Sequence, residues 1–160
     1  MYNYILVCAI LSWLIAQILK TIIDGIKKNK VSVERLVGAG GMPSSHTSTV
    51  ISALIAVGRT EGVKSTFFAI MFILSAIVIY DAMGVRRAAG MHAKELNKIN
   101  NIFSELTKKD KSIVKNKAQY EFKLLKEFLG HTPLEVFGGA IVGVIIAFAV
   151  PIKWLWIQKI

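Results

Sequence analysis

The sequence is poor in cysteine, proline and acidic residues. It holds one cysteine, Cys8, and three prolines in 160 residues. A single cysteine excludes an intramolecular disulfide and gives no thiolate cluster, so the cysteine content suggests no metal site. Ten acidic residues against 20 basic ones leave a net charge of +10. This excess calls for an anionic partner, which could be nucleic acid, lipid headgroups or a substrate.

Charge is missing altogether from three long stretches, residues 2–19, 65–80 and 136–152. Runs of about 17–25 apolar residues match the length of a bilayer-spanning helix. One such run could be the core helix of a soluble protein, but three in this short chain predict an integral membrane protein. The first run lacks a basic leading region and a small-residue cleavage site, so we expect a retained span and not a signal peptide.

A fourth apolar stretch, residues 47–58, is shorter. At about 1.5 Å per residue its twelve residues cover roughly 18 Å, less than the hydrocarbon core of about 30 Å. It must recruit residues 43–46, thin the bilayer, or re-enter on the same side. We therefore predict an all-α fold, a polytopic membrane bundle with about four membrane segments in a single domain, 1–160. A polar basic insertion at 91–128 has helical spacing of apolar residues in its second part and should be helical and cytoplasmic.

The basic residues lie between the apolar runs. Residues 20–45 and 84–130 hold 16 of the 20, and the other four lie in 59–64 and after residue 152. The positive-inside rule then predicts cytoplasmic basic loops, with both termini outside. For so compact a chain we expect a prokaryotic cytoplasmic membrane. Trp154 and Trp156 are typical of an interfacial belt. Cations confined to such loops favour the lipid bilayer and an anionic substrate over nucleic acid.

The first chemically informative motif is GGMPSSHTS, residues 40–48. Glycines allow backbone N–H groups to approach an anion closely, and the start of the following helix adds donors and a favourable dipole. Ser44 and Ser45 add hydroxyl donors. His46 could bind a phosphoryl oxygen and protonate a leaving group. The alternative is a plain loop-to-helix turn with an exposed histidine.

The second motif is GHTPLEV, residues 130–136. His131 and Glu135 are four residues apart and so share one helical face. The carboxylate could hold one ring nitrogen and leave the other as a nucleophile. The alternative is a histidine that caps a helix, but Glu135 at the edge of an apolar span indicates function.

Cations that could hold phosphate come from two further places. Arg86 and Arg87, in DAMGVRRAAG at 81–90, suit bidentate binding of phosphate or could simply set topology. Asp81 could pair with an arginine or bind a cation. Lys20, at the end of the first span, could reach the phosphate or extend to the headgroups.

These stretches together resemble the divergent branch of the type 2 phosphatidic acid phosphatase superfamily, which is related to vanadium-dependent haloperoxidases. The resemblance rests on GGMPSSH, GVRRAAG and LGHTPLEV, in this order, at 40–46, 84–90 and 129–136. PSSH matches the superfamily's Pro-Ser-Gly-His with serine for glycine. Lys20-x6-Lys27 loosely matches its Lys-x6-Arg-Pro block and makes Lys27 an alternative phosphate ligand.

The resemblance implies a phosphohistidine mechanism. His131 would attack phosphorus, Glu135 would orient it and His46 would protonate the leaving oxygen. Lys20, one of the two arginines and the 44–46 backbone would hold the phosphate. No metal and no cofactor is implied.

The chain also departs from the superfamily pattern. The arginine expected six residues before the nucleophile would fall at Leu125. Arg86 and His92 reproduce that spacing and make His92 a rival nucleophile, although Leu96 then replaces the orienting acid. We prefer a split motif, with arginine from 86–87 and nucleophile from His131. Gly139-x3-Gly143 offers a helix-packing face, so a homodimer is an expectation.

The function expected from these residues is hydrolysis of a lipid phosphomonoester or pyrophosphate at the membrane surface. A second reading is a catalytically inactive phospholipid-binding or lipid-transport protein that retains the pocket. A third is a membrane adaptor that docks a partner through the basic residues 94–126.

Overall fold

The computed structural model describes residues 3–28, 40–109, 124–125 and 130–152, and the regular structure in these ranges is helical. Five helices follow one another along the chain: α1 Tyr4–Lys28, α2 Ser45–Thr60, α3 Thr66–Met83, α4 Val85–Lys109 and α5 Pro133–Ala149. The all-α prediction is confirmed. Trp154 and Trp156 lie outside the described residues, as does most of the 91–128 insertion beyond residue 109.

The bundle buries polar side chains and exposes apolar ones. On α1 the buried positions recur every four residues, at Tyr4, Cys8, Ser12, Ala16 and Lys20. The exposed positions of the same helix are large and apolar: Leu6, Ile10, Leu11, Trp13, Leu14, Ile18, Leu19 and Ile22. A surface of this kind is unfavourable in water and favourable in hydrocarbon. Within the described ranges, two stretches are long and apolar enough to cross a bilayer, Tyr4–Ile26 and Thr66–Leu106, the latter joining α3 to α4.

The central helix is α2, which packs against α1, α3 and α5. Hydroxyl groups join it to its neighbours. Ser12 Oγ on α1 donates to the Ser48 carbonyl at 2.9 Å, Ser52 Oγ donates to the Cys8 carbonyl at 3.1 Å, and Ser75 Oγ on α3 donates to the Val50 carbonyl at 3.2 Å. Because lipid gives no hydrophobic drive for helix association, small side chains and interhelical hydrogen bonds take its place.

The short apolar stretch 47–58 lies within α2, which extends it at both ends. The Ser44 hydroxyl accepts from Thr47 N and caps the helix, so Ser45 and His46 form its first turn. Sixteen residues cover about 24 Å. The far end of α2 reaches the first turn of α1 and the last turn of α5, because Arg59 donates to the Tyr4 hydroxyl and to the Ala147 carbonyl. Helix α2 therefore passes through the bundle from end to end and does not turn back.

Helix α5 approaches α2 closely through glycines. A Cβ at Gly139 would lie 2.3 Å from the Ser44 carbonyl oxygen, and one at Gly143 would lie 2.7 Å from the Ser48 carbonyl oxygen. The glycine face that we expected to receive a partner helix is thus filled by α2 of the same chain. It gives no support to a homodimer, which stays a prediction.

The polar region after α3 begins with a long helix. Helix α4 follows α3 after Gly84 alone and runs for 25 residues. Asn97 on α4 makes two hydrogen bonds with the backbone of Leu125. Its Nδ2 donates to the Leu125 carbonyl at 2.9 Å, and the Leu125 N–H donates to its Oδ1 at 3.0 Å. Leu124 and Leu125 are not helical, so the helix predicted there from apolar spacing is wrong at these two residues. The backbone groups of Leu125 are instead bonded to Asn97.

Candidate functional site

The turn before α5 presents His131 with its ring already oriented. Thr132 caps α5 and Pro133 begins it, both favourable at these positions. Glu135 completes a capping box, because its Oε2 accepts from Thr132 N at 3.1 Å. The same oxygen lies 3.0 Å from His131 Nδ1. Glu135 therefore stabilises the helix start and orients the histidine with one carboxylate oxygen.

Gly130 allows this turn to lie against the start of α4. Its φ is +82°, and a Cβ there would lie 2.3 Å from Arg87 N. The His131 N–H donates to the Ala82 carbonyl at 2.9 Å. These contacts bring His131 beside the arginine pair although 45 residues separate it from Arg86. A side chain at 130 would break this approach both sterically and through its φ.

His46 is placed by the first turn of α2. The Ser44 N–H donates to the Glu135 carbonyl at 2.9 Å and ties this turn to α5. Because its amide is used there and its hydroxyl caps α2, the contacts of Ser44 are structural. The N–H groups of Ser45 and His46 find no partner among the described residues, as is usual for the first positions of a helix. They stay available to an anion.

The two histidine rings face each other, with centroids 5.8 Å apart and ring planes at 59°. His46 Nδ1 and His131 Nε2 are both buried and lack a hydrogen-bond partner within the described part of the chain. Buried polar atoms without partners are rare in folded proteins and call for an explanation. Two such nitrogens on facing rings indicate a site for a polar ligand.

Cationic side chains adjoin the pair. Lys20 is fully buried, and its Nζ lies 3.5 Å from Ser45 Oγ. Its stem passes Gly41, where φ is +94° and a Cβ would lie 3.3 Å from Lys20 Cγ. Arg86 is half exposed, and its Nε donates to Asp81 Oδ2 at 2.6 Å. The charges of Lys20 and Arg86 act on both histidines.

The surroundings of His131, the candidate nucleophile, favour its neutral form. Burial lowers the pKa of His131, and the positive charges of Lys20 and Arg86 lower it further, while Glu135 raises it. With the Nδ1 proton held by Glu135, the lone pair of a neutral ring lies on Nε2. The buried nitrogen is then the nucleophilic one.

Two of the expected site residues have no described contact with the facing rings, and the side chain of a third is not described. His92 is exposed on α4, and no described contact joins it to the facing rings. Arg87 lies beside Gly130 through its backbone, while it is the charge of Arg86 that acts on the histidines. The side chain of Lys27 lies outside the described residues.

Two residues that the sequence analysis did not assign also belong to this end of the bundle. Thr132 is recognisable in hindsight, because Thr-x-x-Glu before an apolar run with proline at the first helical position marks a capped helix start. Asp24 lies close to Lys20: its Oδ2 would be 3.7 Å from a Cβ on Gly41. A local pattern points to Asp24 as well, because it follows Lys20 by four residues on α1 and so shares its helical face. The described residues contain no cluster of three or more His, Cys, Asp or Glu that could hold a metal.

The motifs and their geometry agree with what comparison with known proteins finds. The model of the divergent PAP2 family matches residues 1–146. The chain belongs to the divergent PAP2 family. It is 35% identical over 144 residues to the uncharacterized membrane protein YuiD of Bacillus subtilis (strain 168), which covers 90% of this chain and 91% of the relative. No solved structure gives a significant match. Family membership and the apolar helices together show that this chain is a membrane protein.

Proposed function

We propose that this divergent PAP2 protein hydrolyses a phosphomonoester or pyrophosphate of a membrane lipid through a phosphohistidine. The observation that carries the proposal is the facing pair of buried, unpartnered histidine nitrogens, with Glu135 on the other nitrogen of His131. A phosphoryl group between the rings would satisfy both nitrogens.

The chemistry proceeds in two steps. His131 Nε2 attacks phosphorus, an N–P bond forms, and the P–O bond to the leaving group breaks while His46 gives that oxygen a proton. Water then attacks the phosphohistidine, His46 takes a proton from it, and the N–P bond breaks to release phosphate. Lys20, Arg86 and the free N–H groups of Ser45 and His46 stabilise the charge on the phosphoryl oxygens. Asp81 orients Arg86.

In the membrane, α1, α2, α3 and α5 serve as four segments in this proposal. Successive segments run in opposite directions. One end of the bundle therefore carries the side chains of Lys20, His46, Arg86 and His131, and the other end carries Tyr4 and Arg59. The excess of lysine and arginine in the loops of the histidine end favours the cytoplasm for that end. A lipid headgroup would enter there from the cytoplasmic leaflet.

The test is release of phosphate by the purified chain without added metal. Phosphatidic acid, phosphatidylglycerol phosphate and a polyprenyl pyrophosphate are supplied in detergent micelles. We expect release from at least one lipid, loss of release in both His46→Ala and His131→Ala, and retention in His92→Ala. Arg86→Ala should reduce the rate by about 10²–10³-fold, as removal of a charge-stabilising donor does elsewhere, and Arg87→Ala much less.

A radiolabelled lipid phosphate separates the mechanism from other routes. With a substrate whose leaving group needs no proton, His46→Ala should still accumulate the acid-labile, base-stable label of a phosphohistidine. His131→Ala should not. Lipid binding without release from any substrate would overturn the enzyme proposal and favour a phospholipid-binding protein. Loss of turnover in His92→Ala alone would overturn the assignment of His131.

A further inference from the structure

Helix α4 carries an apolar face that the described part of the chain leaves uncovered. In its second half, four large side chains are more than half exposed, namely Leu96 (53%), Ile99 (61%), Ile102 (58%) and Leu106 (60%). At 100° per residue they form one face of the helix. The buried positions Gly90, Ala93 and Asn97 lie on the opposite face, where Asn97 binds the Leu125 backbone. The apolar face therefore points away from the described residues that pack against α4.

The flank of this face is basic. Lys94 and Lys98 are exposed between the apolar and the buried face. Over its length α4 holds six lysines and arginines and two glutamates, Glu95 and Glu105. Lys98 pairs with Glu95 at 2.7 Å, but the pair is exposed and so contributes little. Large apolar side chains beside lysines match the boundary between acyl chains and anionic headgroups.

The start of α4 coincides with the end of a membrane helix. Only Gly84 separates it from α3, whose exposed surface is apolar down to Ile77 and Tyr80. Val85, the first residue of α4, is 65% exposed and continues that lipid-facing surface. Helix α4 therefore begins at the depth of the headgroups. At this depth its apolar side chains can reach the acyl chains and its lysines and arginines can reach the phosphates.

We infer that α4 is an interfacial helix that lies on the anionic surface of the bilayer, with Leu96, Ile99, Ile102 and Leu106 immersed among the acyl chains. Because Arg86 belongs to its first turn, this contact also fixes the depth of the histidine pocket relative to the headgroups. The inference stands independently of catalysis, since it concerns a face of α4 that does not line the pocket.

The test measures immersion at single positions. Cysteine replaces Ile99, Leu106, Asn101 or Glu105 in the full chain with Cys8→Ala, and each variant carries an environment-sensitive fluorophore in vesicles of phosphatidylglycerol and phosphatidylcholine. Asn101 and Glu105 are exposed on the same helix but off the apolar face, and serve as matched controls. We expect lipids with brominated chains to quench labels at 99 and 106 at least twice as strongly as those at 101 and 105. Iodide in the water should show the reverse order.

Several outcomes would overturn the inference. Equal access of iodide to all four labels would place α4 in water. Protection at 99 and 106 without quenching by brominated lipid would mean that protein covers the face, and protection that rises with the protein-to-lipid ratio would identify a second copy as the cover. Quenching that is unchanged in vesicles of phosphatidylcholine alone would overturn the role given to the lysines. None of these readouts depends on phosphate release, so failure here leaves the proposed enzyme activity to its own assay.

Discussion

At the scale of single residues, Glu135 has the most closely defined role. One of its carboxylate oxygens accepts from Thr132 N and also contacts His131 Nδ1. The first contact stabilises the start of α5, and the second sets the tautomer and orientation of the proposed nucleophile. The two roles differ in their dependence on charge, because a capping bond needs only an acceptor whereas the effect on the imidazole needs the negative charge.

Replacement of Glu135 by glutamine should separate these roles. The pKa of His131 should fall further below its ordinary value, because the carboxylate that raises it is gone while burial, Lys20 and Arg86 still lower it. The folded state then binds the His131 proton less readily than the unfolded chain does. Stability present at neutral pH is therefore lost as the pH falls through the ordinary histidine value toward the folded one, more so in Glu135→Gln.

Nitrogen-15 NMR titration of histidine-labelled protein in micelles measures this shift, with the His131 signal assigned by its loss in His131→Ala. Thr132→Ala is the matched control. It removes the cap, at about 0.5–2 kcal/mol, and keeps the charge that raises the pKa of His131. A rise in the His131 pKa in Glu135→Gln would contradict the assigned role of the carboxylate.

At the scale of elements, the contact of α2 with α5 sets the distance between the two histidines. Gly139 lies against the carbonyl of Ser44, the residue that caps α2 two positions before His46. The Ser44 N–H is bonded to the carbonyl of Glu135, four residues after His131. The contact that packs the helices is therefore also the contact that aligns the facing rings.

Alanine at Gly139 should separate the helices and impair the site. A Cβ there would meet backbone, which cannot move aside as a side-chain end can, so we expect a cost of about 1–3 kcal/mol and a loss of phosphate release beyond the loss of folded protein. Gly138→Ala is the control one residue away, since the tightest contact of its Cβ would be with the flexible end of Met42 at 3.1 Å. Thermal unfolding in detergent and release per folded molecule are the measurements. Equal effects of the two substitutions would show that the close approach is not what aligns the rings.

At the scale of the whole molecule, the bundle has one end with the proposed chemistry and one end that fastens the helices. At the second end the single hydroxyl proton of Tyr4 is shared between the Ala147 and Val150 carbonyls, each 3.1 Å from Oη, and Oη accepts from Arg59 at 2.7 Å. Arg59 also lies over the Phe148 ring at 5.1 Å. These contacts join α1, α2 and the last turn of α5, so they contribute to stability far from the pocket.

Tyr4→Phe should therefore lower stability and leave kcat/KM unchanged. Loss of the hydroxyl removes bonds to two carbonyls, at a net cost on the order of 1 kcal/mol. The same substitution at Tyr80, which is 75% exposed, should change neither quantity. Thermal unfolding and phosphate release per folded molecule measure both variants. A loss of turnover in Tyr4→Phe at unchanged stability would show that the two ends are coupled.

Much of this protein follows from its sequence, because the properties concerned are local. The uncharged runs predict membrane helices through their length, and α1 and α3 begin within two of these runs and extend past their charged ends. The i, i+4 spacing of His131 and Glu135 places the two side chains on one face. The stretches GGMPSSH, GVRRAAG and LGHTPLEV indicate the family, which the comparisons confirm. The extension of α2 at its first turn also depends on a local signal, the cap at Ser44.

Only the tertiary structure decides which distant residues meet. Spacing along the sequence does not show whether His92 or His131 lies near Arg86. In the fold, Gly130 packs against the backbone of Arg87 and so places His131 beside the arginine pair. The spacing of Gly139 and Gly143 does not indicate whether the helix packed against them belongs to the same chain. Their close approach to Ser44 and Ser48 shows that this helix is α2. The pairing of His46 with His131 depends on contacts between α2, α5 and the start of α4. Such contacts arise from packing across the bundle, and no pattern within one segment encodes them.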